Sequence, residues 1–168
     1  ADDVIGGGCG LFTGFAAVER SGLAMGDTVV VQGIGPVGLS AVAFAHLRGA
    51  GRILAIGDPE DRRSLALGFG ADTVLSVTGM DPEARLAAVR DATSGRGADV
   101  VIEASGARAA VPEGLALLRD GGCYTIAGHY TDAGAVEINA HTDINRKHAR
   151  IVGQWGTDFS HIARSLPL

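Results

Sequence analysis

Cysteine is scarce in this 168-residue chain. Cys9 and Cys123 are its two cysteines, too few for a disulfide framework, so a reducing cytoplasmic setting is the expectation. No apolar run reaches the roughly 18 residues of a membrane span, so no membrane role is expected. The chain opens Ala-Asp-Asp with no basic n-region, and no secretory signal is read from it. Basic charge is also thin. Fourteen Lys and Arg against 19 Asp and Glu leave a net charge of −5, and the basic residues are scattered, which excludes nucleic acid as the expected partner. Neither a G-x-S-x-G elbow nor a phosphate-binding P-loop is present.

What the chain has in excess is glycine. Its 26 glycines are about twice the usual share, and they sit at strand ends and turns instead of forming a low-complexity tract. With 46% apolar residues and a mean hydropathy of +0.23, the composition describes a tightly turned α/β domain with a real core.

The organising stretch is Thr28 to Asp58. Thr28-Val29-Val30-Val31 is apolar and β-branched, the pattern of a fully buried parallel strand. Gly33-Ile34-Gly35-Pro36-Val37-Gly38 follows as a G-x-G-x-x-G. A helical pattern then runs to His46, and Arg52 to Ile56 makes a second buried strand. Dinucleotide binding needs glycines at this spacing: one for the tight turn, one for close approach of a pyrophosphate, one for helix packing on strand. Free N–H groups at the helix start, near Pro36, would hold the phosphates. A glycine-rich turn alone is weak evidence; the flanking strand, helix and strand strengthen it.

Around this unit the alternation continues. Leu11–Ser21 reads as a helix, then Asp61–Phe69, Asp81–Thr93 and Pro112–Leu118 as further helices. Thr73–Val77, Asp99–Glu103, Cys123–Ala127 and Arg150–Gly153 read as strands. Tyr130 to Lys147 is polar and irregular and is expected to be a long connection. The repeated alternation predicts a Rossmann-type α/β fold: a doubly wound parallel sheet of about six strands with helices on both faces. Glu103 is expected as a buried, hydrogen-bonded carboxylate near the cleft, and Trp155 in the core or a subunit interface. His141, His148 and His161 lack metal-ligand spacing and receive no role. The glycine run at the start, Gly6-Gly7-Gly8, looks like a piece of a longer protein.

Gly8-Cys9-Gly10-Leu11-Phe12-Thr13-Gly14, Gly33-Ile34-Gly35-Pro36-Val37-Gly38-Leu39 and Leu67-Gly68-Phe69-Gly70-Ala71-Asp72 together resemble the zinc-type alcohol dehydrogenases, members of the medium-chain dehydrogenase/reductase superfamily. Asp99-Val100-Val101-Ile102-Glu103-Ala104-Ser105-Gly106 and Leu118-Arg119-Asp120-Gly121-Gly122 are similar to later strand motifs of that family. The resemblance covers essentially the whole chain, but only the coenzyme-binding half of the family's architecture. It implies residues 1–22 as an inter-domain segment, 23–154 as the dinucleotide-binding domain and 155–168 as a link back toward a catalytic domain.

It also implies hydride transfer between a small alcohol or carbonyl substrate and NAD, with NADP as the alternative, and a homo-oligomer (dimer or tetramer) formed through the Rossmann domain. Zinc would act in the full-length protein, with Cys9 as one ligand and two more from an upstream region. Cys9 has a competing reading as a small buried hydrophobe. By the same resemblance Thr13 lies near the nicotinamide and Val37 backs its ring. Gly33, Gly35, Pro36 and Gly38 seat the pyrophosphate. Ser105, Gly128 and His129, near strand carboxyl ends, are assigned to the coenzyme cleft; His129 also reads as an exposed loop residue.

Coenzyme choice stays open at this point. The position for an acidic residue that accepts from the ribose 2′-OH aligns with Gly57, one residue before Asp58. Glycine there goes with NADP in the family, whereas Asp58-Pro59-Glu60-Asp61 would repel a phosphate, and NAD is favoured. Arg62 and Arg63 follow, either reaching the cleft or lying on a solvated helix face. Two rivals are a zinc-free quinone or enoyl reductase of the same superfamily, which would not need Cys9, and a non-catalytic nucleotide-sensing module.

Overall fold

A computed structural model describes residues 8–168; Gly6 and Gly7 of the expected glycine lead-in, and the rest of residues 1–7, lie outside the described residues. The β-branched runs become strands β1 (Thr28–Gln32), β2 (Arg52–Ile56), β3 (Thr73–Leu75), β4 (Ala98–Glu103), β5 (Leu118–Ile126) and β6 (Arg150–Gly153). They form one parallel sheet in the order β3-β2-β1-β4-β5-β6. The helices are α1 (Gly8–Ser21), α2 (Pro36–Leu47), α3 (Glu60–Gly68), α4 (Pro82–Ala92), α5 (Ala110–Leu117) and α6 (Phe159–Ser165).

Because successive strand residues point to opposite faces, each buried strand feeds two cores. Val29, Val31, Ile53, Ala55, Val100 and Ile102 join α1, α2 and α3 on one face. Val30, Leu54, Ile56 and Val101 join α4 and α5 on the other. A Val or Ile buried this fully stabilises the fold by about 1.5–3 kcal/mol relative to an exposed one. This division explains the unbroken apolar runs: neither face of the central strands meets water.

Helix α1 belongs to the first core through Ala17 and Val18. It lies close on α2, since a Cβ on Gly14 would stand 2.6 Å from Ser40 Cβ and 2.8 Å from the Val37 carbonyl. Helix α6 closes over α1. There Arg164 pairs with Glu19, and its guanidinium sits 5.4 Å from the centre of the Phe15 ring.

Several element bounds differ from the sequence expectation, each for a local reason. Asp81 caps α4, accepting the Ala84 N–H at 2.7 Å, instead of forming its first residue. Strand β3 ends at Leu75 because Ser76 and Thr78 turn to bond Asp58. Strand β5 starts five residues early: Leu118 pairs with Ala98, and the register then shifts so that Cys123 pairs with Val100. The polar Arg119-Asp120-Gly121-Gly122 insertion hides that start in the sequence. Within the Tyr130–Lys147 connection a single π-helical turn forms at Ala140–Asn145, capped by the Asn139 side chain. Trp155 is 77% exposed, which removes the core reading for it. Among the described residues no helix is long and apolar enough to cross a membrane.

Candidate functional site

The order of the sheet reverses between β1 and β4, whose final residues Gln32 and Glu103 pair. Helix α2 leaves β1 toward one face and α5 leaves the β4 side toward the other, so a crevice opens at the strand carboxyl ends. The G-x-G-x-x-G forms its floor. Gly33 has φ +95°, a conformation costly for other residues, and a Cβ there would stand 2.8 Å from the Ser105 N–H nitrogen. A Cβ on Gly38 would run into the Gly33 carbonyl, so this glycine lets α2 start directly against the strand.

Gly35 differs from both. Its φ of −75° suits any residue, and a Cβ there would meet nothing within 4 Å. Neither turn geometry nor packing requires glycine at this position, and the space beside it is open. Gly35 is also the N-cap of α2, with no side-chain cap bond, and Pro36 is the first helical residue. Helix starts leave backbone N–H groups without intrahelical partners, and these with the helix dipole favour an anion.

The cleft above this loop has a volume of about 470 Å³, within the range of small-molecule sites. Of the residues expected in the coenzyme site, Gly33, Gly35, Gly57, Asp58, Arg62 and Ser105 line it. Pro36, Val37 and Gly38 belong to the α2 start beneath it. Cys9 is exposed in the first turn of α1, which sets aside the buried-hydrophobe reading, and Thr13 is buried one turn on. The close α1–α2 crossing brings that end of α1 to the glycine loop, where a Cβ on Gly10 would stand 3.0 Å from Pro36 Cβ.

Glu103 is fully buried and ties two rim loops together. Its Oε1 accepts the Ser105 N–H, the Ser105 hydroxyl and the Gly106 N–H, each at 2.7 Å, and its Oε2 accepts the Gly128 N–H at 3.2 Å. His129 follows β5 with Nε2 3.8 Å from Glu103 Oε2, and among the described residues that nitrogen has no hydrogen-bond partner. Ser105 and Gly128 therefore meet on the Glu103 carboxylate, His129 stands beside it without a bond, and of the three Ser105 lines the cleft.

Asp58 is equally engaged. It accepts from Arg63 Nη1 at 3.0 Å, from the Ser76 hydroxyl at 3.1 Å, from the Thr78 N–H at 2.8 Å and from the Thr78 hydroxyl at 3.1 Å. The Thr78 N–H first, then the Ser76 and Thr78 hydroxyls and the Arg63 charge, hold this carboxyl below the usual range. Gly57 has a packing reason of its own: a Cβ there would collide with the Ile34 side chain.

Sequence reasoning missed Ile34, Thr78 and the Arg85–Glu113 pair in the cleft lining. Arg85 is 5% exposed and bonds Glu113 at 2.6 Å and the Val77 carbonyl at 3.2 Å. One signal was available, because Arg85 stands four residues before buried Val89 and shares its inward helix face.

A catalytic zinc needs three protein ligands. Among the described residues no group of three His, Cys, Asp or Glu side chains is placed to hold a metal, so these residues alone do not form a zinc centre.

Residues 36–168 match the family model for zinc-binding dehydrogenases. The chain belongs to the zinc-binding dehydrogenase family. Its relatives in the family include the 5-exo-hydroxycamphor dehydrogenase of Pseudomonas putida, 40% identical over 147 residues, which are 87% of this chain and 40% of that protein. An alcohol dehydrogenase structure from Thermotoga maritima superposes with a TM-score of 0.91 at 36% identity, covering 95% of this chain and 44% of that one. A zinc-binding dehydrogenase from Sinorhizobium meliloti 1021, solved bound to NADP, superposes with a TM-score of 0.82 at 28% identity over 94% of this chain and 46% of that one. The chain thus spans less than half the length of these dehydrogenases.

Proposed function

We propose that this chain is the coenzyme-binding half of a nicotinamide-dependent dehydrogenase acting on an alcohol or polyol and the matching carbonyl compound. Gly35 carries this reading: an unforced glycine beside open space, at the uncapped start of α2, where the sheet order reverses. Family membership and the alcohol-dehydrogenase relatives support it.

In this reading the N–H groups at the α2 start receive the pyrophosphate, and Gly33 and Gly38 allow the loop to press against the helix. The Ser105 loop and the Gly128–His129 loop, held in register by Glu103, form the far wall. Thr13 and Val37 flank the nicotinamide end. A bound nicotinamide supplies the hydride chemistry, and this chain supplies position and exclusion of water. Cys9 contributes one thiolate toward a zinc whose other ligands are not among the described residues.

Titration of the chain with NADPH and NADH, followed by nicotinamide fluorescence, tests the reading. Saturable binding with one site per chain is the expected result. A folded chain that binds neither refutes it.

A further inference from the structure

We propose that a second cleft, at the opposite end of the sheet from the glycine loop, binds an anion made of linked phosphate groups between Arg90, Arg96 and Arg119. The polar run Arg119-Asp120-Gly121-Gly122 has no part in the coenzyme site, yet the fold surrounds it with positive charge. Strands β4 and β5 begin side by side, Ala98 against Leu118, and the register shift beyond them falls within this run. The turn after α4 presses on its start, since a Cβ on Gly97 would stand 2.8 Å from the Leu117 carbonyl oxygen and 2.9 Å from the Arg119 nitrogen. Lys147 closes another side, its carbonyl accepting the Gly121 N–H at 2.6 Å. The space between them is about 590 Å³, and Arg90, Arg96, Arg119 and Lys147 line it against one carboxylate, Asp120. In a chain of net charge −5 the local sign is reversed.

These cations differ in what they already hold. Lys147 Nζ donates to the Leu115, Ala116 and Leu118 carbonyls at the end of α5, so it serves that helix end. Burial holds its ammonium below the usual value; Asp120 and Asp143 pull it up, and the Arg90 charge pushes it down. Arg96 and Arg119 share the buried Asp99, through Nη1 of the first and Nε of the second, and Arg119 Nη1 also donates to the Asp120 carbonyl at 2.7 Å. Arg96 Nε and Nη2 and Arg119 Nη2 are left over. Arg90, in the last turn of α4, has no side-chain hydrogen-bond or ion-pair partner among the described residues. Of the groups lining the cleft, and counting Asp99 behind them, two positive charges stand in excess. A guanidinium fork matches two phosphate oxygens at once, and linked phosphates offer enough oxygens to meet arginines from three segments.

The experiment is calorimetric titration with tripolyphosphate at low ionic strength, on the parent and on Arg90→Ala, Asp120→Asn and Gly35→Val chains shown to be folded by circular dichroism. Arg90 is the residue to remove because it holds nothing else in place, whereas Arg96 and Arg119 also serve Asp99. A saturable site is expected, weakened by added salt. Affinity should fall at least about tenfold in Arg90→Ala and rise at least about threefold in Asp120→Asn, which removes the one lining carboxylate. Gly35→Val, altered at the other end of the sheet, should retain the site within about twofold. ATP titrated into the Gly35→Val chain separates the sources of the phosphates: affinity no tighter than that of tripolyphosphate marks the phosphates alone as the ligand, tighter binding marks a nucleotide, and both uphold the site. No binding by the folded parent, binding that Arg90→Ala leaves unchanged, or binding that Gly35→Val abolishes overturns the inference.

Discussion

Replacing Glu103 by Gln tests how the cleft is held open in its working shape. The carboxylate accepts three donors on Oε1 and one on Oε2, in a fully buried position. Glutamine keeps a single oxygen, which best serves the Ser105 and Gly106 donors. Its amide nitrogen then faces the Gly128 N–H, itself a donor, although Gly128 retains a 2.9 Å bond to the Glu103 carbonyl. The three surviving bonds lose their charge-assisted character and the fourth is lost outright. At about 0.5–0.75 kcal/mol for each of these four changes, the total is about 2–3 kcal/mol. For a domain of this size that lowers the melting temperature by about 4–12 °C. Glu103→Ala should cost more, about 4 kcal/mol, because it also leaves a cavity and unpaired N–H groups. Thermal unfolding by circular dichroism with urea titration at 25 °C measures both. A Glu103→Gln chain within about 0.5 kcal/mol of the parent would refute the view that this carboxylate fixes the two rim loops.

Asp99, buried at the far end of the sheet, accepts the Thr28 N–H at 2.8 Å and bonds Arg96 and Arg119. Burial pulls its carboxyl upward, but the Thr28 N–H and the two guanidinium groups outweigh this and hold it below the usual range. A lowered folded value means stabilisation that is full above the unfolded value near 4 and is lost as pH falls through the folded one. Asp99→Asn should therefore flatten the loss of stability below about pH 5 in acid titration, and an unchanged acid limb would contradict the assignment. Gly57→Ala should destabilise by about 1–3 kcal/mol through collision with Ile34, and it should cost less when made in an Ile34→Ala background; an equal cost in both backgrounds by urea titration would place the strain elsewhere.

The strands with two buried faces were legible because burial on both sides demands unbroken apolar runs, and β1, β2 and β4 show them. The glycine loop was legible because its spacing answers to backbone geometry. The start of β5 was not, since a register shift admits polar residues that no strand pattern contains. The role of Asp58 was hidden as well: its partners Ser76 and Thr78 lie 18 and 20 residues away and meet it only when β3 lies beside β2. Glu103 could be read as a buried carboxylate, but its four donors come from two loops that only the parallel pairing of β4 and β5 brings together.

The most direct test of the account is Gly35→Val, measured for stability and for NADPH binding together. The backbone at Gly35 accepts any side chain and the first of the added carbons, Cβ, has no protein atom within 4 Å, so the melting temperature should move by less than about 2 °C. The same carbons would occupy the space assigned to the pyrophosphate, so NADPH affinity should fall at least about tenfold. Intact stability with lost binding is the predicted result; a stable Gly35→Val chain that binds NADPH as tightly as the parent would contradict the placement of the coenzyme on this loop.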